Sequence, residues 1–116
     1  MSLDPDSAPQ VSAEYVPEGP GGPHYHVKIG GDRFEINVRL SPAEARSLPG
    51  VRETPWLTGS LRAGACCGAA AFWSRDGDTL SLLVGHDDET WDAGFMLPAA
   101  TLDDVLTAVA AERPAA

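Results

Sequence analysis

Cysteine is scarce in this chain of 116 residues, and the two that occur are neighbours, Cys66 and Cys67. Adjacent cysteines cannot staple distant segments, so a disulfide framework is excluded and a reducing compartment, the cytoplasm, is expected. Their spacing is not that of a zinc site either, and no further cysteine could complete one. Basic residues are also few: 8 Lys and Arg against 17 Asp and Glu leave a net charge of −9. They are scattered singly, so neither a nucleic acid nor an anionic membrane surface is an expected partner. No apolar run approaches the roughly 18 to 20 residues that span a bilayer, and MSLDPDSAPQ has neither region of a secretion signal. The G-x-S-x-G, phosphate-loop and G-x-G-x-x-G fingerprints are missing as well. No catalytic residue and no cofactor is assigned.

What is present describes an ordinary globular domain, 43% hydrophobic and 22% charged. Residues 1–23 are read as a flexible arm, because PEGPGGP at positions 17–23 holds prolines and glycines that resist helix and sheet alike. A short strand over 12–16 is the one element expected within it. Residues 24–113 are read as a single α+β domain. There, Tyr25, Val27 and Ile29 alternate with polar residues, and after Gly30-Gly31-Asp32 so do Phe34, Ile36, Val38 and Leu40. This is the pattern of a β-hairpin with one apolar face.

Ser41-Pro42-Ala43-Glu44 has capping-box spacing with proline at the first helical position, so a short helix is expected to begin there and to end at Pro49-Gly50. A looser stretch follows, with Trp56 and Leu57 as expected anchors. Residues 63–84 read as a second hairpin about the Asp76-Gly77 turn, and 91–97 as one more strand before Pro98. The last element is a helix over 102–112, capped by Thr101, with Asp103 and Asp104 in its first turn. Its stripe of Leu102, Val105, Leu106 and Val109 is expected to lie on the sheet. The fold class is therefore α+β: a mainly antiparallel sheet of five or six strands with two helices.

Three groups of residues could carry function. In AGACCGAAA, residues 63–71, strand alternation would send Cys66 and Cys67 to opposite faces, which makes them small packing residues. His24 and His26 share one strand face, and with His86 they form the alternative reading, a metal or small-molecule site. The third group is HDDETWD, in which Asp87, Asp88 and Glu89 precede Trp91. An acidic loop with a central tryptophan combines charge steering with an aromatic anchor, and Trp73 is expected as a further contact.

The stretch from GAAAFWSRDGDTLSLLVG through WDAGFMLPAATLDDVLTAVAAE resembles small immunity proteins of bacterial polymorphic toxin systems, in particular a family associated with deaminase toxins. The resemblance rests on a hairpin with an aromatic residue and an acidic turn, a strand ending in Phe95 and Pro98, and a polar step into Thr101-Leu102-Asp103-Asp104-Val105-Leu106. It implies a cytosolic, non-enzymatic inhibitor that binds a cognate toxin and blocks it. A basic protein partner suits the −9 net charge. A homo-oligomeric structural subunit is a further reading of the same composition.

Overall fold

The computed structural model describes residues 9–112. The chain forms seven strands, β1 (Gln10–Val16), β2 (His24–Gly30), β3 (Glu35–Leu40), β4 (Leu61–Cys66), β5 (Ala69–Asp76), β6 (Thr79–Gly85) and β7 (Trp91–Pro98), and two helices, α1 (Pro42–Ser47) and α2 (Ala100–Glu112). The strands make one antiparallel sheet in chain order, β1 through β7. Each strand thus pairs with its neighbour in the chain, and the connections are short except for that between β3 and β4, which carries α1.

The α+β class and the antiparallel sheet are as the sequence predicts, but the sheet has seven strands where five or six were expected. One reason lies in AGACCGAAA, which is two strands joined by a turn. Cys66 pairs with Ala69, leaving Cys67 and Gly68 as a two-residue loop with φ of 54° and 82°. Positive φ at both central positions is the signature of a type I′ hairpin turn, whose hand matches the twist of the strands. Cysteine is an unusual residue there, which is why the turn is hidden in the sequence. Cys66 and Cys67 consequently do not alternate along one strand. A second reason is β1, which pairs with β2 along its whole length and so belongs to the sheet although it falls within the expected arm. Positions 1–8 of that arm, and residue 113, lie outside the described residues.

The apolar face of the sheet is the core. Tyr25, Val27 and Ile29 on β2, Ile36, Val38 and Leu40 on β3, and Leu80, Leu82 and Val84 on β6 are all buried. At about 25 cal/mol per Å² of apolar surface, each such side chain stabilises the fold by roughly 1.5–3 kcal/mol relative to exposure. Leu102, Val105 and Val109 of α2 lie against this face. The helix packs chiefly on β1 and also touches β2 and β6, so the sheet must curve around it. Phe34 departs from the expected alternation: it sits in the β2–β3 loop, 38% exposed, with its ring over Gly31.

The first helix begins as the sequence predicts. Glu44 N–H donates to Ser41 Oγ (3.1 Å) and Ser41 N–H donates to Glu44 Oε1 (2.9 Å), a reciprocal capping box. Its end differs, for Pro49 and Gly50 do not break the path but lie within a tighter 3-10 turn, Leu48–Glu53. Leu48 and Val51 on that turn are fully buried and are the anchors. Trp56 and Leu57, expected in that role, are 44% and 95% exposed. Thr101 is likewise no cap: α2 starts one residue earlier, and Thr101 is buried within its first turn.

Candidate interaction site

The outward face of the sheet divides into a polar half and an apolar half. Across β4 to β7 one row of paired residues runs Arg62, Phe72, Leu83, Gly94. Phe72 alternates with Ala71 and Trp73, and Leu83 with Leu82 and Val84, all core residues, so Phe72 and Leu83 point outward. Both are nevertheless buried. The six-membered ring of Trp91 contributes to this cover. It lies on Gly94, where a Cβ would come within 3.0 Å of the ring and 3.1 Å of Leu83 Cδ2. Glycine at 94 is what allows the ring to approach the sheet this closely.

Trp91 itself remains 46% exposed, and Met96, further along β7, is 66% exposed. The acidic loop beside them is built by its own residues. Asp87 Oδ1 accepts from Glu89 N–H (2.8 Å), Thr90 N–H (2.7 Å) and Thr90 Oγ (2.8 Å), while His86 N–H closes the loop onto Thr90 O (3.2 Å). These bonds, led by that from Glu89 N–H, hold the Asp87 carboxyl below its ordinary pKa. Asp88 Oδ2 accepts from Ser60 Oγ (2.7 Å) and so ties the loop to the segment ahead of β4. Two of the three loop acids thus shape the loop, and Glu89, with Asp92 on β7, presents an exposed carboxylate that makes no bond among the described residues.

Trp73 does not join this site. It is fully buried in the core, and its indole N–H donates to Ala63 O at 2.8 Å. A tryptophan in the middle of a central strand is placed by alternation on the core face beside Ala71, and its polar nitrogen finds a partner there. Sequence reasoning also missed Met96 as an exposed residue. Its signal is the strand WDAGFMLP, in which Phe95 and Leu97 take the core face and leave Met96 outward.

His24 and His26 share one face, as expected, but His86 does not join them. His26 Nε2 and Asn37 Oδ1 are 2.8 Å apart across β2 and β3, and Asn37 Nδ2 donates to Glu35 Oε2 (3.1 Å). That bond and Lys28 lower the pKa of Glu35. His24 Nδ1 lies 3.3 Å from Gly22 O, and His86 belongs to the β6–β7 loop. Among the described residues no group of three or more His, Cys, Asp or Glu is placed to hold a metal ion. His24 and His26 instead border a shallow groove of about 530 Å³ that ends at the Cys67-Gly68 turn. Cys67 is exposed there, whereas Cys66 is half-buried, and burial, reinforced by its neighbour Cys67, pushes the Cys66 thiol up. No helix among the described residues is long and apolar enough to cross a membrane.

Comparison with protein-family models, with curated proteins and with solved structures finds no match to this chain.

Proposed function

We propose that the protein is a non-enzymatic binding module for a basic protein partner, most concretely an immunity-type inhibitor that occupies a cognate toxin in the cytoplasm. The observation that carries this reading is the exposed Trp91, its six-membered ring close against Gly94, with the exposed carboxylates of Glu89 and Asp92 near it in the chain. A large aromatic side chain fixed on a sheet binds with little further loss of conformational freedom, and tryptophan is enriched among residues that dominate interfaces. The surrounding acids and the net charge of −9 favour encounter with a positive surface. Blocking a partner in this way needs no chemistry of the inhibitor's own.

The test is a binding titration against the product of the gene adjacent to the one encoding this chain. Trp91→Ala is expected to weaken the complex by about 2 kcal/mol or more, roughly thirtyfold, while leaving the circular dichroism spectrum unchanged. Unaltered affinity in that variant, or no complex with any basic candidate, removes the basis of the reading.

A further inference from the structure

The two edges of the sheet are treated differently. Along β1, α2 packs beside the strand, Glu112 Oε1 accepts from the outward Tyr15 N–H at 3.3 Å, and Glu14 places a charge on the strand. A covered or charged edge of this kind resists pairing with another chain. Along β7 the devices that protect edges are confined to its two ends, a register shift at Asp92 and the closing Pro98, and leave Ala93–Leu97 without charge or bulge. Its residues, WDAGFMLP, include no lysine or arginine, one acid, and a proline only at the last position. Among the described residues no group outside the sheet bonds to the backbone of that edge. An eight-residue strand with open N–H and C=O groups is a template for one more strand.

Charge decides what fits. A second copy of the chain would set two β7 edges together with Asp92 and Glu89 on both and no cation on either strand. We infer that β7 is a strand-addition site for an extended segment of the basic partner, with a cationic side chain beside Asp92 and an apolar one four residues along, against Met96. This rests on the reading of the protein as a binder of basic partners and names how the partner is held. Main-chain hydrogen bonds to β7 supply affinity, Asp92 and Glu89 select positive charge and with Met96 set the register, and Trp91 bounds the strand at its start.

The experiment uses the whole chain, labelled with ¹⁵N, and a synthetic eight-residue peptide that carries one lysine and, four residues along, one valine, with threonine elsewhere, at low salt. Saturating peptide is expected to slow hydrogen exchange at least tenfold at alternate β7 amides, those that point away from β6. Met96→Lys, at an exposed position, is expected to weaken peptide binding at least tenfold, and the same peptide with glutamate in place of lysine is expected not to bind. Peptide-induced shifts confined to Trp91 and the acidic loop, with β7 exchange unchanged, overturn strand addition and leave the basic-partner reading standing. No shift anywhere counts against both. Protection of β7 that rises with protein concentration in the absence of peptide overturns the proposal in favour of self-pairing.

Discussion

Two tryptophans of the same sheet have opposite environments, and the difference is measurable. Trp73 is enclosed on the core face with its N–H bonded to Ala63 O, whereas Trp91 lies half out of the opposite face. Trp73→Ala is expected to cost about 3–5 kcal/mol in urea unfolding through the lost contacts and the cavity left behind. Trp91→Ala should stay within about 1 kcal/mol, because its ring is already partly in water. Glu44 is a second residue whose part is structural. Burial alone would raise its pKa, but the N–H groups of Ser41 and Gly64 (2.9 and 2.7 Å) outweigh that and hold the carboxyl below its ordinary value of 4.5. A depressed carboxylate stabilises the folded state above its unfolded pKa, and the contribution is lost as pH falls through the folded value. Glu44→Ala is therefore expected to lose about 1–3 kcal/mol at pH 7. The gap from the parent protein should close progressively below pH 4.5 in denaturation curves taken as a function of pH.

At the scale of elements, β4 shows most clearly how local backbone geometry builds the sheet. The register of β4 on β5 shifts between Arg62 and Ala65, and Gly64 sits in that irregularity at φ 83°. A Cβ there would lie 2.7 Å from Arg39 O and 2.8 Å from Leu40 Cδ2, so Gly64→Ala combines left-handed strain with a backbone clash. Its expected cost is ~3 kcal/mol. The adjoining turn offers the reverse test, since Cys67 has φ 54° where asparagine is better suited. Cys67→Asn should raise the unfolding midpoint, by up to about 1 kcal/mol of stability. Elements with strict alternation or a complete capping box were legible before the structure: β2, β3, β6, the start of α1 and the apolar stripe of α2. The Cys67-Gly68 turn was not, because it lies among alanines and glycines that carry no periodicity. The exposure of Trp91 was legible from its place beside an acidic loop. The burial of Trp73 was not, because it depends on which face Ala71 and its neighbours present to the core. The division of labour within the loop, with Asp87 and Asp88 bonded and the Glu89 carboxylate without a bond among the described residues, depends on loop geometry that no spacing rule supplies.

For the molecule as a whole, α2 completes the core. It packs on β1, touches β2 and β6, and buries Leu102, Val105 and Val109. A chain ending at Ala99 would leave that apolar face open to water. It is expected to give no cooperative thermal transition and to bind a hydrophobic dye such as ANS, whereas the full chain should unfold in one step. The arrangement also has a consequence for the order of events during synthesis. Every strand pairs with the one made just before it, so the sheet can grow hairpin by hairpin as the chain emerges. The bond between Tyr15 and Glu112, by contrast, joins positions 97 apart and waits for the last described element. Until α2 arrives, the nascent chain exposes both a greasy sheet face and an uncovered edge at β1, in addition to the edge at β7, and this interval is when it is most in need of a chaperone.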